Sequence, residues 1–260
     1  MYALPIGTAS RLVLGFAAVV FLSTGAAARA QEEAAAPEAI QVQARKNAGN
    51  LPYRAFFDIQ KRVQGYLPPE PRMFDALFRI SFTELPMPER DAYRPEKWGV
   101  SIVSDSVDQT LDIRRGGYFR LPDNPKAYEE NATLMFSEQS RHNFLDVGWV
   151  VRIGSGQRLS YADFGKAMTE LRAVQKAMPF YRLSLKTEKY ANYDGIKACF
   201  LEPGGALLID GKPAADATVG NCAVLKFDPS RAASGATIAF SGPLDIVTII
   251  ETAPYLPGPT

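Results

Sequence analysis

The chain has 260 residues, 29 Lys and Arg against 28 Asp and Glu, a formal charge of +1, and 47% hydrophobic residues. Enough apolar side chains are present to build a substantial core, which excludes a disordered chain. The balanced charge excludes the basic footprint by which nucleic-acid binders neutralise phosphate.

Arg11, an apolar run over residues 12–22 and the triplet Ala28-Arg29-Ala30 predict a secretory signal peptide over residues 1–30, cleaved before Gln31. The run is shorter than the about 20 residues that a membrane-spanning helix needs. No second such run follows, so no stable membrane insertion is expected after cleavage. Cleavage removes Arg11 and Arg29 and no acid, turning the formal +1 into −1. Residues 31–50 alternate small and polar side chains without an apolar face and read as a mobile N-terminal arm.

Phe56, Ile59, Val63 and Leu67 then recur at helical spacing, predicting a helix that ends near Gly65, with Pro68-Pro69 preventing its continuation. The period next drops to two. Phe74, Ala76, Phe78, Ile80 and Phe82 share one face of a predicted strand, with Asp75, Arg79 and Ser81 on the other. Residues 84–94, with Pro86 and Pro88, read as a connection. Shorter strands are expected over 98–103 and 109–114, a hairpin turn at Arg115-Gly116-Gly117-Tyr118, and strands over 132–136 and 144–153. Ser160 and Asp163 form a capping box opening a second helix whose buried stripe is Phe164, Ala167, Met168, Leu171, Val174 and Met178. Strands over 196–201 and 222–227 carry the only two cysteines, Cys199 and Cys222, across an insert with turn signals at Gly204-Gly205 and Asp210-Gly211. Strands over 237–240 and 244–250 complete the pattern.

The resulting expectation is an α+β fold, predominantly antiparallel β in sandwich-like sheets, with two amphipathic helices packed on them. It divides into a helix-plus-β lobe over 51–157 and a helix-plus-β lobe with the cysteine pair over 158–260, which one continuous domain would equally accommodate. In an oxidising compartment two cysteines on neighbouring strands should form a disulfide. With 22 residues between them, they lack the C-x-x-C spacing of redox enzymes.

The segments Leu51-Pro52-Tyr53-Arg54-Ala55-Phe56-Phe57, Gly117-Tyr118-Phe119-Arg120-Leu121-Pro122, Glu130-Asn131-Ala132 and Leu159-Ser160-Tyr161-Ala162-Asp163-Phe164 resemble an uncharacterised family of exported bacterial proteins. The resemblance rests on framework motifs. It implies export and a β-rich core, and it supplies no activity, cofactor or functional residue.

Chemistry-bearing residues are sparse. The single histidine, His142, and the paired cysteines leave too few ligands for a zinc centre, and no cofactor is expected. Ser140, His142 and Asp146 lie close in sequence, but no G-x-S-x-G elbow supports a nucleophilic serine. Glu129, Glu130, Asp105, Asp108 and Asp112 are the acids available for glycoside hydrolysis, which needs one carboxyl raised by burial. Arg114, Arg115, Tyr118 and Arg120 form the sharper group. Guanidinium planes offer paired donors to carboxylates or phosphates, and an aromatic ring beside them stacks on a flat ligand. Phe180, Tyr181, Tyr190 and Tyr193 make a second aromatic group suited to a carbohydrate groove or to packing under a loop. Asn131-Ala132-Thr133 matches the N-glycosylation sequon.

These features favour a non-catalytic exported protein that binds or scaffolds an envelope protein or glycan through a strand edge or the aromatic-basic hairpin. The alternative is a hydrolase of glycans or peptidoglycan fragments using paired carboxylates.

Overall fold

A computed structural model describes residues 50–82, 85, 87–92, 99–137, 143–178 and 192–257. The predicted signal peptide and most of the predicted arm lie outside them, as do Ser140, His142, Phe180, Tyr181 and Tyr190. In chain order the elements are β1 (Leu51–Pro52), α1 (Tyr53–Gln64), β2 (Phe74–Phe82), α2 (Met87–Ala92), β3 (Val100–Val103), β4 (Asp108–Thr110) and β5 (Tyr118–Phe119). There follow α3 (Pro125–Glu129), β6 (Thr133–Phe136), β7 (Asn143–Val151), β8 (Arg158–Ser160), α4 (Tyr161–Ala177), β9 (Gly195–Phe200), β10 (Ala206–Ile209) and β11 (Lys212–Pro213). The last are β12 (Ala217–Val219), β13 (Cys222–Lys226), α5 (Pro229–Ala233), β14 (Thr237–Ser241) and β15 (Leu244–Ile250).

The strict alternation of β2 organises the molecule. It pairs antiparallel with β7 from Phe74↔Val151 to Phe82↔Asn143, and lies next to the edge strand β5 in a seven-stranded sheet of order β12-β13-β9-β15-β7-β2-β5. Strands from both sides of residue 157 thus share one sheet, joined where Thr248 of β15 pairs with Val150 of β7. One face of this sheet carries both large cores. At one end Phe78, Ile80 and Phe119 pack with Tyr53 and Phe57 of α1 and with Val100, Ile102, Leu134 and Phe136 of the sheet β1-β6-β3-β4. Further along, Phe74, Trp149, Ile196 and Val247 meet Phe164, Leu171 and Val174 of α4 and Leu159, Leu207, Ile238 and Phe240 of the sheet β11-β10-β14-β8. The architecture is therefore mostly antiparallel β in packed sheets, with both amphipathic helices seated on them.

Helix ends follow local chemistry. The Ser160 side chain accepts a hydrogen bond from the Asp163 amide at 3.0 Å and caps α4. Buried Gln60 of α1 is satisfied on both sides: its Nε2 donates to the Leu121 carbonyl at 2.8 Å, and its Oε1 accepts from the Leu121 amide at 3.0 Å. That pair fixes the chain just after Arg120. Gln175 on α4 is different. It is fully buried, and neither end of its amide has a hydrogen-bond partner among the described residues. An unpaired buried amide costs about 1–3 kcal/mol, so Gln175→Leu is expected to raise the denaturant midpoint in equilibrium unfolding; a lower midpoint would contradict this.

Three local expectations change. Residues 84–94 hold the short helix α2, because Pro88 falls in its first turn, where no backbone donor is needed. The connection after residue 121 contains α3, capped by the Asn124 side chain, which accepts from the Ala127 amide at 3.0 Å. The insert between the cysteine strands is more than a turn. Asp210 and Gly211, at φ 49° and 82°, close a hairpin of β10 and β11 that belongs to a different sheet, while β12 returns to pair with β13.

The cysteine strands pair as expected, with Cys222 directly opposite Cys199, and their sulfurs lie at bonding distance, both residues 1% exposed. No described helix is long and apolar enough to cross a membrane. Replacing both cysteines by alanine is expected to cost about 3 kcal/mol in the chain-entropy model. Denatured, unreduced protein purified from an oxidising compartment should label at neither thiol; labelling of both would contradict the bridge.

Candidate functional site

The reverse face of the seven-stranded sheet, away from the two large cores, carries the site. Register places Leu77 of β2 opposite Gly148 of β7, and Arg79 opposite both Asp146 and Tyr118. The turn before Tyr118 is built by two glycines at positive φ, Gly116 at 75° and Gly117 at 86°. It is closed by the Arg114 amide donating to the Tyr118 carbonyl at 2.8 Å and by the Gly117 amide donating to the Arg114 carbonyl at 3.0 Å. Tyr118 lies 3% exposed, its ring 5.2 Å from the Arg79 guanidinium. The ring fits because residue 148 is glycine: a Cβ there would overlap the Tyr118 ring carbons.

Beside it stands an ionic cluster. The Asp75 carboxylate accepts from Arg72 at 2.7 and 2.9 Å and from Arg152 at 2.8 and 2.9 Å, and it faces Arg120 at 3.4 Å. Glu70 bridges the same arginines, 2.7 Å from Arg152 and 3.2 Å from Arg72. Burial raises the Asp75 carboxyl, but the hydrogen bonds from Arg152 and Arg72 outweigh it and hold the group below the usual carboxylate range. The Arg152 hydrogen bond likewise lowers Glu70.

Between this cluster and β4 opens a groove of about 780 Å³. Leu77, Tyr118, Val150 and Ile153 give it apolar surface; Gln109, Thr110 and Asp112 line it on the β4 side, and Asp75, Arg114, Arg120 and Arg152 supply charge. A second cavity of about 310 Å³ shares Arg114, Val150, Val151 and Ile153 and adds Asp245, Ile246 and Val247. Arg114 therefore sits where the two meet.

Of the residues singled out in the sequence, Arg114, Tyr118 and Arg120 are brought together on this groove. Arg115 is not. Its backbone amide donates to the Asp245 carboxylate at 2.8 Å and its guanidinium to the Leu201 carbonyl at 3.5 Å, which ties the turn to the strands beyond. Among the acids weighed for hydrolysis, only Asp112 lines the groove. Glu130 accepts from the Ser106 and Ser104 hydroxyls, which hold it below the usual range and make it a brace for the loop before β4. The Tyr193 hydroxyl accepts from the Trp149 indole at 3.1 Å, a packing role. Among the described residues no cluster of three or more His, Cys, Asp or Glu has the arrangement of a metal site.

Asp75, Arg152 and Gly148 carry no site signal in the sequence because their roles arise from cross-strand register, and Arg72 joins them by reaching Asp75 three residues on. Lys197 on β9 was hidden by alternation itself. It faces away from Ile196 and Ala198, so a sheet with one buried face would leave it in water, yet it is 1% exposed, with its ammonium 5.4 Å from the Tyr255 ring. Burial, and then the charge of Arg79, pushes it well below its ordinary value.

The fold and site define an α+β protein, predominantly antiparallel β, with a mixed-charge groove on the reverse face of its largest sheet. No family model matches the chain, no curated protein matches it, and no solved structure matches it.

Proposed function

We propose that this is an exported, non-catalytic binding module of the cell envelope whose ligand lies in the groove between β4 and the Tyr118 turn. The observation that carries the proposal is the groove itself, where apolar surface from Tyr118, Leu77 and Val150 adjoins Arg114, Arg120 and Arg152 in one open concavity. The buried cysteine pair is in keeping with an oxidising compartment. The hydrolytic alternative is weaker on this geometry. A general acid must stay protonated near neutral pH, whereas the most buried groove carboxyl, Asp75, is held ionised by two arginines.

Fractionated envelope extract, titrated into isotope-labelled mature protein, tests the proposal. A ligand fraction should move the amide resonances of Gln109–Asp112 and return chemically unchanged by mass spectrometry. Accumulation of a cleaved product would favour the hydrolase instead.

A further inference from the structure

We infer that the groove takes an extended peptide segment carrying one Asp or Glu next to aliphatic side chains; this rests on the groove being the binding site. Three independent features converge. First, among the described strands β4 is the end strand of its sheet, paired only with β3, and it lines the groove through Gln109 and Thr110. An end strand offers backbone donors and acceptors in the pattern that another extended chain satisfies, whereas a sugar chain has no matching ladder.

Second, Arg114 is the cation that seeks a partner. Arg152 is hydrogen-bonded to Asp75 and Glu70, and Arg120 faces Asp75. The Arg114 side chain is exposed at the junction of the two cavities and makes no ion pair with a described residue. A guanidinium in that position donates two hydrogen bonds to one carboxylate. Third, the charges across both cavities balance, with Arg114, Arg120 and Arg152 against Asp75, Asp112 and Asp245. A polyanion would meet three carboxylates there, while a mixed peptide places a single acid on Arg114 and lays its aliphatic neighbours on Val150 and Ile153.

A phage-displayed library of random dodecapeptides, selected on the mature protein and counter-selected on an Arg114→Glu variant, tests this directly, with a glycan array of neutral and uronic-acid oligosaccharides run in parallel. Enriched peptides should place Asp or Glu within two positions of Val, Ile or Leu. They should bind Arg114→Glu at least tenfold more weakly, and binding should move the Gln109–Asp112 amides. Peptides enriched without an acid, or insensitive to the Arg114→Glu change, overturn the inference. If oligosaccharides bind wild type but not the variant while no peptide is enriched, the peptide inference falls and the binding-module reading stands. If neither library yields a binder that depends on Arg114, both fall.

Discussion

Gly117→Ala is expected to destabilise the protein by about 3 kcal/mol and to weaken binding in the groove, because two costs coincide at this position. Gly117 has φ of 86°, a conformation that L side chains rarely adopt. A Cβ there would also overlap the backbone carbonyl oxygen of Ile80, which belongs to β2, paired on both sides by β7 and β5, and has no flexible end to move aside. The Gly117 carbonyl in turn accepts from the Ile80 amide at 3.0 Å, so displacement of the turn would break that bond and shift Tyr118 in the groove. Urea unfolding of the mature variant measures the effect. An alanine tolerated with an unchanged midpoint would show that the turn is not held against β2 as described.

Asp75→Asn should have the second large effect, about 2–4 kcal/mol at pH 7, because it removes the charge that Arg72, Arg120 and Arg152 share while leaving its shape. The Asp75 side chain is 16% exposed, so solvent screens the arginines only in part. The pH dependence has a definite sign. The folded pKa of Asp75 is depressed, so its contribution is fully present above the unfolded value of about 4 and is lost as pH falls through the lower folded value. The wild-type advantage over Asp75→Asn should therefore hold at neutral pH and shrink progressively below about pH 4. An advantage that persisted undiminished at about pH 2 would assign the loss to something other than the carboxylate's charge.

Much of the fold was legible because the relevant signals are local. Phe74, Ala76, Phe78 and Ile80 alternate without interruption, and all four are buried on one face. Ser160 sits three residues before Asp163 and caps α4 as its type predicts. The short helices α2 and α3 escaped because proline reads first as a breaker, although in the opening turn it costs no hydrogen bond. The insert after β9 departs from its sequence signals because Asp210-Gly211 does close a hairpin, but one whose strands serve another sheet.

The site was half legible for the same reason. Arg114, Tyr118 and Arg120 lie within seven residues and announce themselves as basic groups around an aromatic. Asp75 and Arg152 are 77 positions apart and meet only because β2 and β7 pair in the register that sets Asp75 against Val150. Gly148 reads as a weak point in a strand until Tyr118 is laid over it. Arg115 looks equivalent to Arg114, but the Asp245 carboxylate at its backbone amide and the Leu201 carbonyl at its guanidinium make it a strut rather than a groove residue.

The most direct test of the groove as the ligand site is photo-crosslinking in cells that express the protein. A photoreactive phenylalanine analogue at Thr110, exposed on β4 within the groove, should give discrete adducts that disappear when Arg114→Glu is combined with it. The same analogue at Asp105, exposed on the loop before β4 and outside the groove, should give none. Equal adducts at both positions, or adducts at Thr110 that survive Arg114→Glu, would contradict the assignment.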